Sequence, residues 1–174
     1  MAFLTTWNMT DLPSEMIDIL EEDIKKFDDW QDDSRVMGSE ISPKIRNSKN
    51  AWIPTEHWIG GWIWYYIQKA NRENFLYDLY DIDGGNIQYT HYNPGDYYTW
   101  HIDGDISTTF KPEIKPGTGE NLSQDQTFHK GECVRKLSFS LQLSDAKDYR
   151  GGEVEFVNSA GERYFAPKQK GTLI

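Results

Sequence analysis

His101 and Asp103 lie one residue apart at the end of the run QYTHYNPGDYYTWHID, residues 88–103. Ile87 to Tyr92 is β-prone, Asn93-Pro94-Gly95-Asp96 is turn chemistry, and Tyr97 to Asp103 is aromatic and β-branched, so the run reads as strand, turn, strand. Alternation along the second strand predicts that Tyr97, Thr99, His101 and Asp103 share one face, with Tyr98, Trp100 and Ile102 on the other. An imidazole and a carboxylate on one face supply two ligands of the 2-His-1-carboxylate facial triad. That triad holds non-haem Fe(II) and leaves positions open for co-substrate and O2. The plainer alternative is a strand-end histidine bonded to a neighbouring aspartate. With four His and 16 Asp in 174 residues, the pair alone is ordinary motif noise.

The elements that must position the pair are legible in the pattern. Asp11 to Ser14, with Pro13 in the first turn, marks a helix start. Met16, Ile17, Leu20, Ile24 and Phe27 then predict one apolar face. Residues 31–51 are polar and broken by Gly38 and Pro43, and predict loop with a short strand near Ile41 to Ile45. Pro54-Thr55 opens a second helix, about Glu56 to Asn71, whose Trp58, Trp62, Tyr65, Tyr66 and Ala70 are assigned to core and whose His57 is assigned a structural role. Gly60-Gly61 costs roughly 1 kcal/mol per residue against alanine in a helix and permits close approach of another element. Phe75 to Ile82 reads as a strand leading through Asp83-Gly84-Gly85-Asn86 into the central hairpin.

After Asp103 the segment from Gly104 to Val134 carries Pro112, Pro116 and several glycines. A loop of this length in a compact domain suggests a lid. Arg135 to Leu143 alternates, with Leu137, Phe139, Leu141 and Leu143 on an apolar face and Ser138, Ser140 and Gln142 on a polar one. Glu153 to Val157, Arg163 to Phe165 and Gly171 to Ile174 are further strand candidates.

The composition bounds what this set can be. The length suits one domain, 1–174, with a helical part over 1–75 and a β part over 76–174. The 25 aromatics compensate for a hydrophobic content of 37% by large burial per residue. Residues 1–40 hold 11 acids and three bases, so -8 of the net -10 charge lies there. This reads as a solvated helix face and argues against a nucleic-acid backbone as main partner. Cys133 is the only cysteine, which precludes an intrachain disulfide and fits a reducing compartment. With no leader-like opening and no apolar run of membrane length, a cytoplasmic protein without membrane partners is expected.

A family is carried by an ordered set: Ile45-Arg46-Asn47-Ser48, Ala70-Asn71, Gln88-x3-Tyr92-x2-Gly95-x5-His101-x-Asp103, Arg135-Lys136-Leu137-Ser138, Leu143-Ser144 and Gly151-Gly152-Glu153. From about residue 45 onward the chain resembles the 2-oxoglutarate- and Fe(II)-dependent dioxygenases of the prolyl-4-hydroxylase-like group, in their short bacterial and viral form. The resemblance implies an α+β, mainly β fold: a double-stranded β-helix (jelly-roll, cupin-like) with N-terminal helices packed on one sheet. It implies Fe(II) as metal, 2-oxoglutarate and O2 as co-substrates, and ascorbate as a further candidate.

By position it makes His101 and Asp103 the first two iron ligands. It sets Tyr92 near the co-substrate, on a face shared with Gln88 and Thr90, and puts Gln142 where relatives place a tyrosine on the distal carboxylate. The family's second histidine and its basic carboxylate-binding residue are expected beyond Ile174. On this reading the chain is C-terminally truncated, lacks its last strands and is inactive by itself. The implied activity is hydroxylation of a peptide or amino-acid side chain, prolyl by family default. The alternatives are an oxidative nucleic-acid demethylase, which shares the Tyr-x-Pro-Gly-x5-His-x-Asp spacing, and a non-catalytic jelly-roll binding module.

Overall fold

The computed structural model describes residues 8–10, 12–30, 32–33, 44–82, 85–103, 135–158 and 160–174. The fold is α+β, and every strand pair among the described residues is antiparallel. In chain order the elements are α1 (Ser14–Ile24), a 3-10 stretch Lys25–Trp30, β1 (Asp32–Asp33), β2 (Arg46–Asn47), β3 (Lys49–Pro54), α2 (Trp58–Ala70), a π turn Asn71–Phe75, β4 (Asn86–His91), β5 (Tyr97–Tyr98), β6 (Glu155–Val157) and β7 (Arg163–Phe165).

The organising unit is the β3–β4 pair, six residues long, with Lys49 opposite His91 and Pro54 opposite Asn86. Alternation makes this pair two-faced. One face carries Ala51, Ile53, Ile87 and Tyr89. Ile53 and Ile87 form a buried cluster there with Leu20 and Ile24 of α1 and Ile59 and Ile63 of α2. The other face carries Asn50, Trp52, Gln88 and Thr90, and is polar except for the half-exposed Trp52. The helices therefore cover one side of the sheet and leave the polar side to other work.

Helix α1 buries Ile17, Leu20 and Ile24, as the periodicity predicts, while Met16 is exposed. Helix α2 corrects the sequence reading. Its buried residues are Ile59, Gly60, Ile63 and Ala70, whereas Trp58 and Tyr65, assigned to core, are exposed. The two isoleucines at i and i+4 define the inward stripe, and the large rings flank it. Trp62 and Tyr66 are half-buried and pack edge-on at 4.9 Å. His57 caps the helix, its Nδ1 accepting from the Ile59 amide at 3.5 Å. Its Nε2 stands 3.2 Å from Asp23. Asp23 also accepts from Lys26 and Trp58, so the aspartate ties α1 to the start of α2. These two donors, Lys26 first, hold its carboxyl below the usual range.

Three strand expectations do not match the elements formed. Phe75 to Ile82 is not a strand: Phe75 closes the π turn, and Leu76 takes a left-handed backbone with φ 57°. The Asn71 side chain then donates to the Tyr77 carbonyl at 2.8 Å and accepts from its amide at 2.9 Å, occupying the groups a ladder needs. In place of a strand from Arg135 to Leu143, only Leu141 is bridged, to Leu173. Backbone bonds join 140–142 to 171–174, and 135–139 form no strand. The predicted apolar side of this segment does face inward, with Phe139, Leu141 and Leu143 packed against both core clusters. Gly171 to Ile174 likewise reduces to one bridging residue: Leu173 pairs with Leu141 on one side and with Met9 on the other. The expected strand near Ile41 to Ile45 lies largely outside the described residues, and β2 begins one residue after it.

Lys170 fastens this C-terminal segment to α1, with Nζ 2.7 Å from Asp18 and 2.9 Å from Glu21. Both carboxylates, Asp18 first, raise its pKa above the ordinary 10.5. A raised lysine pKa stabilises the fold below the unfolded value, and the gain disappears as pH climbs through the folded value. Lys170→Met is expected to lower stability by less than about 1 kcal/mol at pH 8, since the pair is partly solvated. Urea melts of parent and variant should converge as pH rises past 10.5. A gap that stays constant with pH would assign the loss to packing of the lysine stem instead.

Candidate functional site

The polar face of β3–β4 continues into β2 and β5. Arg46, Ser48 and Asn50 alternate along one extended stretch and are all buried, at 8%, 4% and 4% exposure. The Arg46 Nε donates to Ser48 Oγ at 2.9 Å. Its Nη2 reaches Asn50 Oδ1 and Thr90 Oγ1, each at 3.3 Å. Gln88 joins the network by donating to Thr90 Oγ1 at 2.7 Å and to Asn50 Oδ1 at 3.3 Å. Across the β2–β5 pair Arg46 stands opposite Tyr98, and its guanidinium lies over the Tyr98 ring, 4.7 Å from the centroid.

The turn into β5 is set by Asp96. Its carboxylate accepts from the Asn93 amide at 2.7 Å and from Asn47 Nδ2 at 2.6 Å, while Gly95 takes φ 92°, a region glycine enters without strain. Pairing ends early. The Thr99 amide bonds the Ile45 carbonyl at 2.9 Å, and residues 100–103 leave the ladder. The expected strand from Tyr97 to Asp103 is thus only Tyr97–Tyr98, and its predicted alternation breaks. Tyr98 and His101, expected on opposite faces, stack ring on ring at 3.6 Å with planes 17° apart.

His101 and Asp103 come together all the same, with Nε2 and Oδ1 3.2 Å apart. The opposite ring nitrogen, Nδ1, is 2.8 Å from the Thr99 carbonyl. A carbonyl only accepts, so Nδ1 carries a hydrogen and the neutral ring presents the Nε2 lone pair to Asp103. Two acceptors this close repel unless a cation lies between them, either a proton on Nε2 or a metal ion. Ligands about 2.1 Å from an octahedral metal and at right angles lie about 3 Å apart. A backbone carbonyl on the far nitrogen is the usual way a metal-binding imidazole is oriented. The pair therefore fits two adjacent positions of a metal, and Thr99 fits the supporting role. Among the described residues no group of three His, Cys, Asp or Glu side chains could hold an ion.

Tyr98 is held neutral to higher pH than usual, chiefly by burial, with Asp103 and Tyr92 adding to the effect and Arg46 and Arg135 opposing it. On the far flank, Arg163 of β7 lies 5.3 Å over the Trp100 ring.

Of the other residues singled out by sequence, Gln88 joins the Arg46 network and Tyr92 is exposed. Gln142 is engaged elsewhere: its Nε2 donates to the Tyr149 hydroxyl at 2.9 Å and to the Ser144 carbonyl at 3.3 Å. The lid segment from Gly104 to Val134 lies outside the described residues. Sequence reasoning missed Arg46 as a buried site group and Tyr98 as the ring joining it to His101. Residues 46–50 are all polar, so the sequence carried no alternation that would mark Arg46, Ser48 and Asn50 as the buried set.

No protein-family model, curated protein or solved structure matches the chain. No helix among the described residues is long and apolar enough to cross a membrane.

Proposed function

We propose that this face is the metal-binding part of a 2-oxoglutarate- and Fe(II)-dependent oxygenase that hydroxylates a peptide or amino-acid side chain, a prolyl ring being the first candidate, on a jelly-roll frame. The observation that carries it is the aim of His101: Nδ1 lies 2.8 Å from the Thr99 carbonyl, and Nε2 faces Asp103 Oδ1 at 3.2 Å. His101 and Asp103 hold the metal, Thr99 fixes the imidazole plane, and the Tyr98 ring shields one face of that imidazole from water. Fe(II), when bound there, supplies O2 activation coupled to oxidation of 2-oxoglutarate. The third protein ligand lies outside the described residues.

The test is an anaerobic Mn(II) titration followed by NMR. Paramagnetic broadening is expected first at Tyr98 to Asp103. Broadening confined to the acidic face of α1 would remove the metal reading. Binding at the turn without any 2-oxoglutarate consumption by an extended chain bearing a third ligand would favour the non-catalytic binding module.

A further inference from the structure

We propose that Arg46 is a positioning residue: acting through the Tyr98 ring, it sets the plane in which His101 offers Nε2 to a metal. This role rests on the metal reading of the His101–Asp103 pair and supplies that pair with rigidity from outside its own turn. The turn alone does not provide it. The His101 side chain is exposed, and residues 100–103 lie beyond the two paired residues of β5. The contact between Nδ1 and the Thr99 carbonyl fixes one point of the imidazole and leaves the ring free to tilt about that point. Tyr98 removes the tilt, lying against the imidazole at 3.6 Å with planes 17° apart.

Tyr98 is held in turn from its other face. An imidazole at 3.6 Å fills one side of the ring, so the Arg46 guanidinium, 4.7 Å from the ring centroid, covers the opposite side. Arg46 is itself anchored. It is buried, with Nε bonded to Ser48 and Nη2 to Asn50 and Thr90. These partners are neutral, and among the described residues the charge meets the face of Tyr98 in place of a carboxylate. Both faces of a phenol ring carry negative potential and attract a cation. Tyr98 can therefore lie between Arg46 and a metal-loaded imidazole, two groups that repel one another in direct contact. Among the described residues no hydrogen bond engages the Tyr98 hydroxyl, so the ring alone makes the link. Order passes from the β3–β4 sheet to Arg46, from Arg46 to Tyr98, and from Tyr98 to His101.

The first readout needs no metal. The full chain, labelled at histidine and stripped of metal with a chelator, is followed by NMR. The His101 ring protons, assigned by their loss in His101→Ala, are expected upfield of the ordinary imidazole position because they sit over Tyr98. Tyr98→Leu is expected to abolish that ring-current shift. Arg46→Met is expected to move the same protons most of the way to their position in Tyr98→Leu. Arg46→Lys should fall between Arg46→Met and the parent, since lysine restores the charge without the planar fork that Ser48, Asn50 and Thr90 hold. Parent-like Ile53 and Ile87 methyl signals show that the sheet is intact, so loss of the shift is not loss of the fold.

The second readout is Mn(II) affinity at the turn. Arg46→Met and Tyr98→Leu are each expected to weaken it about tenfold, the scale of losing an outer partner of a ligand. Tyr98→Phe is expected to lose less than Tyr98→Leu in both readouts, because it keeps the ring. His101 ring protons at their parent positions in a folded Arg46→Met chain overturn the proposal. Where the parent binds Mn(II), equal affinity in Tyr98→Leu overturns it as well, an arm that holds even if Arg46→Met does not fold. A parent chain that takes up no Mn(II) but shows the Arg46-dependent shift removes the metal reading and retains Arg46 as the residue that orients His101.

Discussion

His101→Ala is expected to abolish Mn(II) binding at the turn of residues 99–103, against weak, saturable binding expected of the parent chain. The parent affinity is expected to be low because the described residues offer two protein ligands and leave the remaining positions to water. Losing even a supporting partner of a ligand typically costs 10- to 100-fold, and losing the ligand itself costs about a hundredfold or more, which carries an already weak site below detection. Anaerobic calorimetry with the NMR readout measures both chains. Asp103→Asn separates the two cations that can lie between Nε2 and Oδ1. A proton-bridged pair tolerates the amide, which still accepts a hydrogen bond, whereas a metal loses its charged ligand. Tight one-to-one binding by the parent would reveal a third ligand within the chain. Unchanged binding in His101→Ala would end the iron assignment.

The second large effect concerns neighbouring glycines in α2. Gly60 and Gly61 are adjacent in the sequence, yet alanine at the two positions acts with opposite sign. A Cβ on Gly60 falls inside the Thr55 backbone, 2.7 Å from its carbonyl carbon and 2.8 Å from its Cα. Backbone cannot swing aside as a side chain can, so α2 must lift from the turn that starts it. Overpacking of this kind costs about 1–3 kcal/mol, and the position is at the upper end. A Cβ on Gly61 meets nothing within 4 Å, so Gly61→Ala keeps the helix-propensity gain of up to about 1 kcal/mol. For a domain of this size each kcal/mol moves Tm by roughly 2–4 °C. Calorimetric scans are expected to show Gly60→Ala lower by roughly 5–10 °C and Gly61→Ala slightly raised. Equal shifts at both positions would mean the Thr55 approach is not a real constraint.

Periodicity carried the sequence reading furthest where an element buries one stripe against another. The spacing of Ile17, Leu20 and Ile24 located α1, and the β-prone run at 87–92 located β4 to within a residue. Where backbone groups are satisfied locally, pattern misled. Tyr77 is β-prone by type, but the Asn71 side chain takes both its backbone groups, and no propensity scale contains that contact. Past Tyr98 the chain loses its partner strand, and His101 turns to bond the Thr99 carbonyl, so alternation stops predicting which faces are shared. His101 and Asp103 meet through this local turn and not through strand geometry. The ring preference in α2 was misjudged because size was read as depth: the small Gly60 and the slim Ile59 and Ile63 fit the inward stripe, and the indoles ride at its edges. Arg46 was visible only as one letter of a motif, since a buried cation is recognised by what surrounds it.

The bridge from Met9 through Leu173 to Leu141 has a consequence for synthesis. Met9 and Leu141 both precede Leu173 in the chain, so the middle member of this three-stranded layer is made after both of its neighbours. The β3–β4 sheet and both helices can assemble while translation continues, since their partners lie within one stretch of sequence. Met9, Leu12 and Ile17 cannot complete their cluster, nor can Phe139, Leu141 and Leu143 finish theirs, until Leu173 has emerged. The nascent protein therefore displays an apolar seam until Leu173 is made, and it is the seam, not the sheet, that a chaperone would have to guard.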